Sequence, residues 1–323
     1  MLRRIVPLIY TCIILAVVCL SHANTSEAEV QKKMVLTFDD LPYVGLAHSG
    51  GLAMAEHATG AILEVLEKYD APAAAFVNEG RLWEVGGIDE RVDLLRKWSD
   101  AGVVLGNHTY SHVSLNSVTV EQFKDEIVRG DVAIRQLMAG RGGDKLYFRH
   151  PYTHTGDTAA KKSEIDRFLL ERGYTIVPYT IDSQDYIFNV LYRDSIERAD
   201  AALSNRICDT YVDFVIKATS FAERMGEVIF KRPIPQTIIL HAKDVNAGCL
   251  DALLESFVED EYGFIPLDKA MEDPAYQTPD TFVTRAGSSW LWRWSRSLEM
   301  EVSFVEDPEP PQWVLDTSRG LSH

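Results

Sequence analysis

The stretch Met34-Val35-Leu36-Thr37-Phe38-Asp39-Asp40 decides the fold of this chain. Five largely apolar residues, with β-branched Val35 and Thr37, predict a short buried strand. The strand ends on two adjacent carboxylates. Side chains alternate along a strand, but a following turn can bring both acids to one rim. Two buried acids repel, so one protonates unless a cation or a donor sits close. Taken alone, the pair reads as a strand closed by a solvated Asp-Asp turn. The rest of the chain changes that reading, because several later apolar runs also end on His, Arg or Asp.

Working outward, short apolar runs alternate with helical patterns. Strands are predicted over 34–38, 73–77, 103–105, 145–148, 174–179 and 237–240, with a minimal seventh over 264–266. Between them, helices are predicted over 51–69, 90–101, 120–139, 158–172 and 250–258. A long helical insertion, from about Arg193 to Phe230, precedes the strand over 237–240. Gly102 and Gly173 stand where helices end. This order predicts an α/β fold of about seven parallel strands wrapped by helices, close to a barrel but short of eight strands. The barrel domain is expected over 24–280.

The tail, 281–323, differs. It carries Trp290, Trp292 and Trp294 and an acidic, Pro-rich run from Glu306 to Gln312 that reads as an irregular strap. Trp290 and Trp294 are four apart and share a face if helical. They either pin the tail to the barrel or form a platform for stacking sugars.

A chain of 323 residues, 46% hydrophobic and 10% aromatic, is long enough for one large domain with a full core. Its net charge of −16 excludes a basic stripe for nucleic acid and suits a neutral or cationic substrate. The N-terminus reads as a signal peptide over 1–23. Arg3 and Arg4 precede an apolar run from Ile5 to Leu20, and Ser21-His22-Ala23 supplies small residues for cleavage after Ala23. The run is short for a membrane anchor and lacks a basic stop on its far side. A periplasmic or secreted product with no stable membrane span is therefore expected. Cys12 and Cys19 leave with the signal. Cys208 and Cys249 remain, either as one disulfide or as two separate buried thiols. With no Cys-x-x-Cys pair, a thiolate metal site is excluded.

The strand ends carry the chemistry. The first ends at Asp39 and Asp40. The third runs into Gly106-Asn107-His108-Thr109-Tyr110-Ser111-His112, and the fourth into Arg149-His150-Pro151-Tyr152. The fifth leads to Asp182-Ser183-Gln184-Asp185-Tyr186, and the sixth runs straight into His241. In α/β barrels, chemistry sits at the carboxyl ends of strands, so these groups are expected at one rim. His108 and His112, four apart, face the same way on one helical turn and can hold one ion. Two imidazoles and one carboxylate leave positions open for water and substrate, the pattern of a catalytic metal site. His48, His57 and His154 read mainly as surface histidines. Asn78 is a rim residue of low specificity, and Asp182 a residue behind the site.

Together these residues resemble the polysaccharide deacetylases of carbohydrate esterase family four. That family carries Thr-Phe-Asp-Asp, His-Ser/Thr-x-x-His, Arg-x-Pro-Tyr/Phe, an Asp-Trp element and Leu-x-His, in this order. The present chain has Thr37-Phe38-Asp39-Asp40, His108 to His112, Arg149 to Tyr152, Asp185-Tyr186 and Ile239-Leu240-His241. It departs at Tyr186, where Trp is usual, and at Ile239, where Leu is usual. The Tyr186 hydroxyl changes the pocket wall, and the long insertion leaves substrate size open. The resemblance covers 34–270 and implies a distorted (β/α) barrel of fewer than eight strands.

The resemblance also implies roles. Asp40, His108 and His112 bind a divalent metal. Asp39 is the general base, held by Arg149. The Tyr152 backbone N–H cradles an oxyanion, with Tyr186 beside the substrate. His241 is the general acid, with Asp185 as its partner. Zn²⁺ is the default ion for two His and one Asp; Co²⁺ or Ni²⁺ also serve, and ligand type alone does not exclude Fe²⁺. The expected activity is N-deacetylation of an amino-sugar oligo- or polysaccharide, such as a chitin oligomer or a cell-wall glycan. The alternatives are an O-acetyl esterase, a hydrolase of another linear amide, or a non-catalytic glycan-binding protein.

Overall fold

A computed structural model describes residues 32–45, 51–83, 87–141 and 145–321. The signal peptide expected over 1–23 and the candidate His48 lie outside the described residues. The chain opens with β1 (Lys32–Leu41), α1 (Gly51–Lys68), β2 (Ala73–Val77), α2 (Ile88–Asp100) and β3 (Val104–Asn107). Two helices, α3 (Val120–Arg129) and α4 (Val132–Met138), lead to β4 (Leu146–Phe148). Then come α5 (Ala159–Glu171), β5 (Tyr174–Ile176), β6 (Ile181–Asp182), α6 (Asp185–Glu197), α7 (Ala201–Phe230) and β7 (Gln236–His241). The chain finishes with α8 (Asp244–Glu259), β8 (Tyr262–Phe264), α9 (Leu267–Met271), α10 (Trp290–Ser297) and α11 (Gln312–Leu321).

All strand pairs are parallel, in the order β5-β4-β3-β2-β1-β7-β6, with β8 beside the start of β1. This is a distorted (β/α) barrel, as the resemblance implies, and its sheet holds eight strands. The strand β1 is central and buried from Met34 to Leu41. Its near-continuous apolar run suits a strand covered on both faces. Phe38 packs on Trp98 of α2, with ring centroids 5.3 Å apart. At Gly106 of β3 a Cβ would sit 2.8 Å from Phe76 and 2.9 Å from the Tyr147 carbonyl, so only glycine lets β2 and β4 close around it.

The barrel has one seam. Of the run expected as a strand over 174–179, only Tyr174–Ile176 forms one, β5; β6, over Ile181–Asp182, lies beyond that run, and the two stand at opposite ends of the sheet order. Residues 177–180 cross between them. Val177 N–H still bonds the Phe148 carbonyl at 2.8 Å, whereas Thr180 N–H bonds the Thr237 carbonyl at 2.9 Å. The carbonyls in between face no ladder partner and must be satisfied otherwise. The guanidinium of Arg149 donates to the Val177 and Pro178 carbonyls, each at 3.4 Å. The Trp290 N–H donates to the Tyr179 carbonyl at 2.9 Å. The tail thus docks on the seam.

Trp290 and Trp294 are buried, Trp294 against Phe230 of α7 and Tyr276, so they anchor the tail and are no sugar platform. Arg293 between them is fully buried and donates to Asp280 at 2.9 and 2.7 Å. The strap reading fails beyond 311, where α11 forms and rests Val314 in the core. Other helices also differ from the pattern. The insertion starts at Asp185 and breaks at 198–200, and the helix expected over 120–139 breaks at Gly130. Cys208 and Cys249 form a disulfide that ties α7 to α8. No helix among the described residues is long and apolar enough to cross a membrane.

Candidate metal-dependent active site

Register aligns the strand ends. Asp39 stands opposite His241 across β1 and β7, and Val77, Asn107 and Phe148 pair across β2, β3 and β4. His108 and Arg149, one residue beyond, therefore meet the same rim. Strict alternation would send Asp39 and Asp40 to opposite faces. Asp40 instead adopts φ 68°, where the β1–β2 register shifts, so both acids reach one cavity. That cavity, of about 480 Å³, is lined by Asp39, Asp40, His108, His112, Tyr152 and Tyr186, with His241 and Asp182 beside them.

His108 and His112 do not sit on a helical turn, as their spacing suggested. They lie in a loop with Thr109 and His112 at positive φ. The Asn107 side chain accepts from the Thr109 N–H at 2.7 Å, and Asn78 donates to the His108 carbonyl at 2.6 Å. These two amides fix the loop from inside. The ligand atoms of Asp40, His108 and His112 all lie within 4.8 Å of one another. The His108 Nδ1 lies 2.8 Å from the Arg149 carbonyl, to which it donates, which leaves Nε2 as the free lone pair. That Nε2 is 3.7 Å from an Asp40 oxygen, and His112 Nε2 is 3.2 Å from the same oxygen. This Asp40 oxygen is buried with no hydrogen-bond partner. An unsatisfied carboxylate oxygen facing two imidazole nitrogens is the donor set of a divalent cation, and the residues fit one.

The local electrostatics favour that state. Burial alone would raise the Asp40 carboxyl, but His112, His241, Arg81 and His108 outweigh it and hold it well below the usual carboxylate range. Burial depresses His112 to about 3, with help from His108, so its imidazole is neutral and able to ligate.

Two further pairs flank the cluster. Arg149, fully buried, donates to Asp39 at 2.9 Å and to the Thr37 hydroxyl at 2.7 Å, and lies over the Phe76 ring at 4.4 Å. On the other side, His241 Nδ1 is 2.7 Å from Asp185. The second Asp185 oxygen accepts from the His241 N–H at 2.7 Å and from Asn246 at 2.6 Å. Burial would lower the His241 ring, yet Asp185 prevails and raises it; burial would raise Asp185, yet His241 prevails and lowers it.

Tyr152, at φ 55°, is exposed at the rim with its ring edge-on to His112 at 4.5 Å. Tyr186, also exposed, forms the opposite wall beside Lys243. Asp182 lines the cavity itself, and Asn78 is buried beneath the loop. His154 bonds Ser114 at 2.7 Å in a neighbouring groove, and His57 is exposed on α1. Sequence reasoning missed Arg81, 3.6 Å from Asp40, and Lys243 on the cavity wall. It also missed Asn246, which orients Asp185 and accepts from the Tyr211 hydroxyl at 2.9 Å. Arg81 and Lys243 follow the ends of β2 and β7, so the strand-end rule that found their neighbours covers them too.

Residues 26–166 match the family profile described as polysaccharide deacetylase. A chitin deacetylase of Arthroderma benhamiae is 27% identical over 161 residues, 50% of this chain and 37% of that protein. A peptidoglycan-N-acetylglucosamine deacetylase of Bacillus cereus is 24% identical over 154 residues, 48% of this chain and 46% of that protein. The chain thus spans less than half the length of these two relatives. The solved structure of the chitin deacetylase from Colletotrichum lindemuthianum aligns with TM-score 0.49 and 18% identity, over 75% of this chain and 88% of that one. The matched segment holds both aspartates of β1, both loop histidines and Arg149, and over that segment the chain is similar to the polysaccharide deacetylase family.

Proposed function

We propose that this chain is an exported, metal-dependent hydrolase that removes N-acetyl groups from an amino-sugar glycan. One observation carries the reading: a carboxylate held by an arginine and an imidazole held by a carboxylate line the same cavity as a three-residue metal cradle. An acetamide is a poor electrophile with a poor leaving group, so it needs help at the oxygen, at the attacking water and at the nitrogen. A divalent cation held by Asp40, His108 and His112 would polarise the acetyl carbonyl and acidify a water when bound. The donor set suits Zn²⁺ first, then Co²⁺ or Ni²⁺.

Asp39 is the proton acceptor for the attacking water. Arg149 and the packing behind it hold that carboxylate in one orientation. His241 donates a proton to the departing amine, and Asp185 keeps its imidazolium available and fixes its ring through Nδ1. The Tyr152 N–H is the donor for negative charge on the acetyl oxygen, and Tyr186 walls the sugar. The Cys208–Cys249 disulfide supports export, because such bonds persist in oxidising compartments.

The test is acetate release from a panel of N-acetylglucosamine oligomers, peptidoglycan fragments, acetylated xylan and small amides, with elemental analysis of the same samples. Release from the amino-sugar substrates, its loss with a chelator and its return with Zn²⁺ are expected. Release from acetylated xylan alone would replace this reading with an O-acetyl esterase, and no release from metal-loaded protein would overturn it.

A further inference from the structure

A second cavity, of about 370 Å³, opens beside the active-site cleft and shares Tyr179, Asp182 and Gly287 with it. Its walls come from outside the segment that matches the family. The helix α7 supplies Phe221, and the tail supplies Trp292, Phe304 and Asp307. Gly287 sets the join: a Cβ there would lie 2.3 Å from the Tyr152 carbonyl, so the tail passes directly against the Tyr152 loop. Unlike its buried neighbours Trp290 and Trp294, Trp292 is only partly buried, edge-on to Phe282 at 4.7 Å, and lines this groove.

The polar character of the groove is one-sided. Asp182 and Asp307 both line it, and neither has an ion-pair partner among the described residues. Asp182 spends one oxygen on the Gln184 N–H at 2.9 Å. Desolvation, then the Asp182 and Glu309 carboxylates, lift Asp307 to about 6. The Ser288 hydroxyl in the same wall is shielded from water without a hydrogen-bond partner. An aromatic wall, an unpaired hydroxyl and two unpaired carboxylates suit a ligand that is flat on one face, rich in hydroxyls and positively charged.

We propose that this groove binds the sugar adjacent to the one being deacetylated, and that it selects a hexosamine whose amine is free and protonated. The assignment rests on the hydrolase reading for what occupies the neighbouring cleft. Trp292 stacks on the pyranose face, Asp307 and Asp182 accept from the ammonium, and Ser288 bonds a ring hydroxyl. The enzyme would then favour chains already partly deacetylated, working outward from a first free amine.

The test is calorimetric binding of glucosamine tetramer and N-acetylglucosamine tetramer to the full chain, its D307N variant and its W292A variant. Asp307→Asn is expected to weaken glucosamine tetramer about tenfold and leave the acetylated tetramer nearly unchanged, as for loss of one charge-assisted hydrogen bond. Trp292→Ala is expected to weaken both, because stacking is blind to the amine. Unchanged binding of glucosamine tetramer by D307N would overturn the proposal, and D307N remains decisive if W292A does not fold. Acetate release separates the two readings. A protein that releases acetate while D307N binds normally loses only the subsite. One that releases none, yet binds glucosamine tetramer through Asp307, loses only the hydrolase reading.

Discussion

Asp185 has no solvent exposure, yet it sets the behaviour of His241 through two contacts of 2.7 Å. In the proposed mechanism the His241 imidazolium protonates the leaving amine, so activity should fall as pH rises through its raised pKa. Asp185→Asn removes the charge that outweighs burial. The alkaline limb of kcat/KM should move to lower pH, with about a hundredfold loss at its former optimum; an unmoved limb would detach His241 from the acid role. The linkage has the same sign. A histidine raised on folding contributes stability fully below its ordinary value of 6.5, and that contribution is lost as pH rises through the folded value. Asp39 gives a cleaner test of chemistry, because it is held by Arg149 and lies outside the three-residue cradle. Asp39→Asn should cut turnover by about 10²–10⁴-fold while bound metal, read by elemental analysis, stays constant. His112→Ala should lose metal and turnover together, and retained metal would show that two residues suffice.

Elements carry a second layer of design. The helix α4 begins without a side-chain cap of its own, because Asp131 makes none. Glu79, from the turn after β2, reaches across instead and accepts from the Ala133 N–H at 2.7 Å. Burial raises this carboxyl to about 7 despite the donors. An acid whose pKa rises on folding favours the folded state at low pH and loses that advantage as pH climbs from about 4.5 to about 7. Thermal melts of the wild type should therefore lose about 2–3 kcal/mol over that window. Glu79→Gln, which cannot ionise, should flatten the fall.

The pattern of elements was largely legible in the sequence. Residues 34–38, 73–77 and 237–240 read as strands because strands covered on both faces must be apolar throughout. The strand-end residues followed from that, and all nine candidate site residues lie at or directly behind one rim. What escaped has physical causes. Two-residue β6 is too short to show a period. The shape of the His108–His112 loop is set by the Asn78 and Asn107 side chains, which act across the fold and leave no trace in hydrophobic spacing. The pairing of Cys208 with Cys249 depends on how α7 and α8 cross, which no count of cysteines reveals.

At the scale of the whole molecule, the tail is part of the barrel. Trp294 is 1% exposed between α7 and Tyr276. Trp294→Ala should cost about 3–5 kcal/mol in urea unfolding, and a loss below 1 kcal/mol would show the tail to be peripheral. Arg149 shows why closure and chemistry are hard to separate. The same guanidinium that holds Asp39 also satisfies the Val177 and Pro178 carbonyls, and the next carbonyl along is left to the Trp290 amide. Translation runs from the N-terminus, so residue 290 is made after every strand of the sheet. A ribosome-bound chain can lay down all eight strands and still lack the donor that completes its circumference. Completion of the seam is in this sense timed, arriving only after the last strand of the sheet has been made.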